Sequence, residues 1–403
     1  MPRWRRTLYT VWVTQFIGVA GFSFVIPFMP YYIQELGITG VRNVALWSGL
    51  VTSAQAISMA IMAPIWGALS DRYGRKLMVL RASFAGAVVL TLMGFVTNVQ
   101  QLLFLRVLQG MLTGTMSATT ALVASQAPKE RSGWALGSLQ TALFLGVSLG
   151  PLLGGVSGDA LGYRSSFYIT GALLALSGFL VLAFVHEEFD PAMATARRSR
   201  PGLRHGLVLV LSSGVLVTIL ASRILLRIGT RTLDPILPLL VQSLLPAGSP
   251  VGVTTGVVAA ASALGSAVGS PLIGGWSDRW GHRRLLVISA VAAGLLYIPQ
   301  AFIQDARWLI LWQLLTGFAV GGTLSTLTAL LSRASPRGRE GVVFGLDASA
   351  ISGANAIGPV LGAAATAWWG LRAPFFVATA MFAIGVLAVV VFMRDEPAVA
   401  ASS

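Results

Sequence analysis

The 403-residue chain contains no cysteine, which excludes disulfides and thiolate metal sites. Its three histidines, His186, His205 and His282, all fall in polar gaps between apolar runs. That leaves no buried histidine cluster for a metal or a proton relay. Charge is scarce too: only 10% of residues are Asp, Glu, Lys or Arg, against about 25% in ordinary soluble domains. The only lysines are Lys76 and Lys129, and neither follows a glycine. A Gly-x-x-x-x-Gly-Lys-Ser/Thr loop is therefore missing, and with it ATP-driven work within this chain. The apolar runs also lack clustered acids or a nucleophile beside its base, so a polytopic membrane enzyme is the most distant reading.

What the chain has in abundance is apolar length. Hydrophobic residues make up 55% of it. Runs such as 77–95, 285–302 and 375–392 approach the roughly 20 residues that a bilayer crossing needs. Twelve spans are expected, at about 8–34, 44–66, 77–96, 100–126, 134–158, 165–185, 208–242, 252–275, 285–303, 307–333, 342–369 and 373–393. The fold class that follows is an all-α membrane protein of twelve transmembrane helices. Met1-Pro-Arg-Trp-Arg-Arg looks like a signal n-region, but the run behind it is long and lacks a small-residue cleavage site. It reads as a retained first span.

The net charge of +14 does not indicate a nucleic-acid partner, because it is distributed by topology. With the N-terminus inside, the inner termini and loops hold 20 of the 28 Lys and Arg residues and the outer loops four: Arg42, Arg164, Arg307 and Arg372. That asymmetry predicts cytoplasmic termini. Arg106, Arg223, Arg227 and Arg231 remain, inside the spans. The arginine-rich, Ala- and Gly-rich composition hints at a bacterium with GC-rich DNA.

Two short gaps carry nearly the same text: Gly67-Ala-Leu-Ser-Asp71-Arg72-Tyr-Gly74-Arg75-Lys76 and Gly274-Gly-Trp-Ser-Asp278-Arg279-Trp-Gly281-His282-Arg283. They lie 207 residues apart. Pro27-x-x-Pro30 matches Pro235-x-x-Pro238, Gly110 matches Gly317, Arg131 matches Arg339, and Gly150-Pro151 matches Gly358-Pro359, all at 207 or 208. The chain is a duplicated unit, with six-span halves at 1–185 and 207–403 and a solvated linker at 186–206. Parallel six-span repeats are a transporter architecture.

These motifs, with Arg106-x-x-Gln109-Gly110 in span 4 and Gly146-x-x-x-Gly150-Pro151-x-x-Gly154-Gly155 in span 5, carry a resemblance. The chain resembles the major facilitator superfamily and, within it, the twelve-span drug:proton antiporters, in particular bacterial multidrug exporters. The resemblance covers nearly the whole chain. It implies a monomeric protein of the bacterial cytoplasmic membrane that exports drug-like amphiphiles by alternating access. It also implies a proton gradient as driving force, no cofactor, and small molecules, protons and lipid as partners. The span 5 motif implies export, and Arg106 takes the family's role in proton transfer. Asp71 would dock on the start of span 11, and Asp278 on span 5, as latches of one state.

Physically, Gly67 and Gly74 are expected to let two helices turn back over few residues. A carboxylate at the membrane edge is favourable against a helix N-terminus. Arg72, Arg75, Lys76 and Arg279 also read as plain topological anchors. The glycines of span 5 share one helical stripe, which allows close helix approach or a shared bending role with Pro151.

Charges within spans are expensive and usually functional. Taking roughly 100° per residue, Arg223, Arg227, Arg231 and Asp234 lie at about 0°, 40°, 80° and 20°. Four charges on one face do not point into lipid. Asp234 precedes Pro235, so the helix is expected to break there. Burial and a neighbouring arginine act in opposite senses on a carboxylate's hold on its proton. That makes Asp234 the leading proton-coupling candidate, against the alternative of a permanent ion pair with Arg227 or Arg231. Asp347 is the second candidate, though capping of span 11 is the expected role. The substrate face is expected to include Gln15, Phe22 and Ser23 of span 1 and Arg106, Gln109 and Thr113 of span 4, besides the four charges of span 7. One feature departs from the family: spans 1 and 4 have no acidic residue in their interiors. Excess arginine favours anionic or zwitterionic solutes, so a carrier of anionic metabolites, sugars or phosphonate-like solutes is the alternative.

Overall fold

The computed structural model describes residues 3–114, 116–126, 128, 131–187, 211–336 and 339–393. Among the described residues there is no strand. The helices are α1 (Arg3–Phe24), α2 (Met29–Glu35), α3 (Val41–Tyr73), α4 (Arg75–Met93), α5 (Val99–Leu112), α6 (Met116–Gln126), α7 (Ser132–Leu161) and α8 (Tyr163–Phe184). After the linker come α9 (Gly214–Thr232), α10 (Leu237–Leu244), α11 (Val251–Trp280), α12 (His282–Gln300), α13 (Ala306–Ala334), α14 (Glu340–Trp369) and α15 (Ala373–Phe392). Ten stretches are long and apolar enough to cross a membrane unaided. The other two of the twelve spans, 4 and 7, are each built from two helices. The linker from 188 to 206 lies outside the described residues.

The breaks have local causes. Span 1 passes through a 3₁₀ turn at Ile26–Phe28, and α2 restarts with Pro30 in its first turn. Span 7 breaks between Thr232 and Leu237, around Asp234-Pro235. Proline has no N–H to give the preceding turn and pushes its predecessor out of helical geometry, so both breaks follow from the matched Pro-x-x-Pro pairs. Span 4 breaks differently: Thr113 is extended and Gly114 takes φ +126°, a conformation that favours glycine.

The duplication is visible in how backbones approach. A side chain at Gly154 would strike the Phe24 carbonyl, and one at Gly362 the Thr232 carbonyl. Gly150 abuts Ala20 and Ser23, while Gly358 abuts Ile228 and Arg231. Gly110 abuts the Gln55 carbonyl, and Gly317 that of Ser262. Every partner is displaced by the same 207 or 208 residues. The span 5 stripe is therefore the seam on which α7 packs against α1, and α14 packs against α9 through the same seam.

Packing divides the chain into two compact units. Unit 1 is Met1–Arg200 with Asp234–Ala260, and unit 2 is Pro201–Leu233 with Ala261–Ser403. The Asp234–Ala260 stretch belongs to the second repeat but packs with the first. Within unit 1, Gln34 and Gln242, 208 positions apart, exchange two amide hydrogen bonds of 2.9 and 3.0 Å. The Tyr31 hydroxyl donates to the Pro238 carbonyl at 2.7 Å and lies 2.8 Å from Thr255 Oγ1. The Asp159 carboxylate accepts from the Gly252 and Val253 amides at 2.9 and 2.7 Å, satisfying the first turn of α11.

Candidate functional site

Each unit holds a polar cluster inside its apolar helices. In unit 1 it centres on Arg106 of α5, 6% exposed. Its Nη1 donates to Gln55 Oε1 at 2.7 Å and to Gln109 Oε1 at 3.3 Å, and its Nη2 lies 3.7 Å from Met29 Sδ. The Nε has no hydrogen-bond partner. Among the described residues no carboxylate pairs with this guanidinium, so amide and thioether groups solvate it. The Thr113 hydroxyl turns back to the Gln109 carbonyl, 2.7 Å away, and fixes the end of α5. Gln15 of α1 accepts from Thr119 at 2.9 Å, and Ser23 is buried against Gly150. Phe22 is half-buried.

Unit 2 is charged on both sides. Arg223 of α9, 9% exposed, approaches Asp347 of α14, 4% exposed. The Nε–Oδ1 distance is 2.9 Å, without hydrogen-bond alignment. Its Nη1 also donates to Thr328 Oγ1 of α13 at 3.0 Å. About two turns further along α14, Asn355 accepts at Oδ1 from the Nε of both Arg227, at 2.9 Å, and Arg231, at 3.1 Å. Arg227, Arg231 and Asn355 are partly exposed. The arginine stripe of span 7 thus meets Asp347 and Asn355, eight residues apart and on one side of α14.

This corrects two expectations. Asp347 does not cap span 11: α14 starts at Glu340 with Arg339 before it, which puts Asp347 inside the helix, where it faces Arg223. Gly67 does not make the turn between spans 2 and 3. It lies inside α3 with open space where a side chain would point, and the turn rests on Gly74 at φ +95°. Gly281, at φ +90°, does the same between α11 and α12. Asp234 is half-buried in the break of span 7.

The loop motifs sit apart from both clusters. The Asp71 side chain lies outside what is described. Arg72 is exposed over Tyr73, and the backbone amides of Arg75 and Lys76 donate to the Glu187 carboxylate at 3.0 and 2.7 Å. Asp278 is exposed, with Arg333 at 3.8 Å and His282 at 3.6 Å, and Arg279 is exposed beside it. Gly155 packs on the Gly252 carbonyl and Pro151 on Gly256, so this part of the span 5 motif packs α7 against α11. Gln55, Met29, Thr328 and Asn355 complete the clusters and were not singled out from the sequence. Asn355 alone had a signal, its eight-residue spacing from Asp347.

The Major Facilitator Superfamily profile matches residues 11–245 and again 219–403, two matches that overlap over span 7. The chain belongs to the major facilitator superfamily. This facilitator is 36% identical over 378 residues to the multidrug resistance protein MdtG of Enterobacter lignolyticus, covering 94% of this chain and 90% of that one. It is 35% identical to MdtG of Salmonella dublin, covering 93% and 92%. A mutant of the nucleoside transporter NupG superposes with a TM-score of 0.82 at 14% identity, over 96% of this chain and 100% of that one. A D-xylose-proton symporter does so with a TM-score of 0.76 at 16% identity, over 96% and 98%. At such identities the structures speak for the fold alone. The protein is a multi-pass secondary transporter of small molecules with the twelve-helix facilitator fold.

Proposed function

We propose that this facilitator exports amphiphilic small molecules, drugs among them, in exchange for protons by alternating access. It would act as a monomer in the bacterial cytoplasmic membrane, with both termini cytoplasmic and no cofactor beyond the proton gradient. Its likeness to MdtG supports the drug class. The observation that carries proton coupling is the Arg223–Asp347 pair, a carboxylate buried within the spans beside a single arginine. Protonating Asp347 removes the charge that holds Arg223, and deprotonation restores it, so one proton switches a contact between α9 and α14. The off-axis geometry favours exchange, because an aligned fork would be stronger. Asp234 remains a second acceptor at a broken helix, and Arg106 a conduit in unit 1. The Asp71 and Asp278 loops serve as latches of the cycle.

The test uses everted vesicles carrying the full chain, with an imposed inside-acid gradient. Dye or antibiotic should accumulate, and Asp347→Asn should abolish that accumulation while binding persists. Gradient-independent accumulation would overturn proton coupling, and gradient-driven transport intact in Asp347→Asn would move the coupling site elsewhere. An anion carrier is the second reading, favoured by the three arginines, Arg223, Arg227 and Arg231, that span 7 places among the apolar helices.

A further inference from the structure

The two Asp-Arg loops differ at one position that matters chemically. Gly74 is followed by Arg75, whose charge is permanent, whereas Gly281 is followed by His282, whose charge is not. The His282 side chain is buried at the start of α12, although Asp278, Arg279 and Trp280 just before it are exposed.

Hydrogen bonding assigns the proton on the ring. Nδ1 lies 2.8 Å from Ser277 Oγ, and Ser277 Oγ lies 2.7 Å from the Gly274 carbonyl oxygen. A carbonyl only accepts, so the single hydroxyl proton goes to Gly274, and Ser277 accepts from Nδ1–H. In the neutral ring Nε2 is then a bare acceptor. It is buried, has no hydrogen-bond partner, and stands 3.6 Å from Asp278 Oδ1, another acceptor. One proton is missing between them. The Asp278 side chain is 66% exposed, so it can turn to close the remaining distance.

Asp278 is also claimed from another side. Arg333 Nη2, in the last turn of α13, lies 3.8 Å from the same Oδ1. Both side chains are exposed, so this pair is weak. Among the described residues, the charged groups facing the ring are thus Asp278 from α11 and Arg333 from α13. α15, which also packs on α12, has no titratable residue. On α12 itself, Arg283 reaches the Val390 carbonyl and Arg284 is exposed. A proton added at Nε2 therefore meets one partner, Asp278, and one competitor, Arg333.

We infer that His282 is a proton-operated switch: protonated at Nε2, it draws Asp278 from Arg333 and moves an ion pair from α11–α13 to α11–α12. Imidazoles ordinarily take up this proton between about pH 5 and 8, a range that cells experience. On the exporter reading, protons are discharged on the face that carries this loop. Their build-up there would release α13 from Asp278 and act back on the cycle. That consequence rests on the proposed proton exchange; the switch itself does not.

The test is nitrogen-15 NMR of the purified full chain labelled only at its three histidines, with His282→Gln identifying the relevant signals. At about pH 8.5 the wild-type ring should carry its proton on Nδ1, and acidification should add one at Nε2. Asp278→Asn should weaken proton uptake by about two- to fivefold, the scale of an exposed ion pair, and Arg333→Gln should strengthen it by a similar factor. Both substitutions fall on exposed side chains, so folding is kept. If Arg333 competes for Asp278, its effect should shrink in the Asp278→Asn background. A proton on Nε2 at the alkaline end, no uptake down to about pH 5, or uptake that neither variant changes overturns the inference. An Arg333→Gln effect undiminished in Asp278→Asn does so too. No substrate or gradient enters this measurement, so a failure of proton-driven export in vesicles would sink the exporter reading and leave the switch standing.

Discussion

Both repeats bury one arginine deep among their helices, but at opposite members of the same pair of positions. In the first repeat Arg106 stands on span 4, and its counterpart 207 residues on is Gln313; in the second, Arg223 stands on span 7, and its counterpart 208 residues back is Gln15. The neutral partners are buried in both cases, Gln15 bonded to Thr119 and Gln313 to Gln300 at 3.0 Å. The cations differ in what surrounds them. Arg106 is held by amides and a thioether, Arg223 by a carboxylate. Packing was duplicated faithfully while charge was not. A cation held by neutral groups and a cation beside a carboxylate therefore sit in related frames.

The largest expected effect tests that distinction directly. Asp347→Asn should lower gradient-driven transport by on the order of 100-fold or more, the scale of losing a proton-transfer group. Arg106→Gln should leave some gradient dependence in the same vesicles. Stability separates the two arginines next. Arg223→Gln strands a buried carboxylate and should cost about 3–5 kcal/mol, whereas Arg106→Gln strands only amides and should be close to neutral. Equal losses of melting temperature in the two purified variants would erase the contrast. The shared packing predicts likeness instead: Gly154→Val and Gly362→Val should each destabilise by about 1–3 kcal/mol through overpacking against a carbonyl. Gly67→Ala, with open space, should change the melting temperature little. The smallest difference lies between two threonines. Thr328→Ala loses a bond from a charged donor, worth about 1.5–3 kcal/mol, and Thr119→Ala a neutral one of about 1 kcal/mol. Thermal unfolding in one detergent should rank them in that order.

Much of this was legible in the sequence because duplication repeats its own landmarks. Asp234-Pro235 marked the break of span 7, and the glycine stripe marked a face of α7 open to close helix approach. The stripe of Arg223, Arg227 and Arg231 was read from spacing alone. What faces it was not, because helical spacing says which residues share a face but not which helix lies opposite. Asn355 and Thr328 acquire their roles only through α14 and α13 packing against α9, and Gln55 through α3 packing on α5. Asp347 was misjudged for a different reason. Its distance from the helix start depends on where α14 begins, and a Glu340 start turns an expected cap into an interior residue. Gly67 failed in the same way, since α3 runs on to Tyr73 before Gly74 turns the chain.

The passage of Asp234–Ala260 into unit 1 has a consequence for handling this protein in pieces. A cut in the linker would separate two products of one ancestral duplication, yet neither fragment would hold a whole folding body. The first fragment would lack the partners of Tyr31, Gln34 and Asp159. The second would carry Pro238, Gln242 and the first turn of α11 with nothing to receive them. The ancestral unit can be duplicated in a gene, but its two descendants now complete each other during folding, and they must be made together.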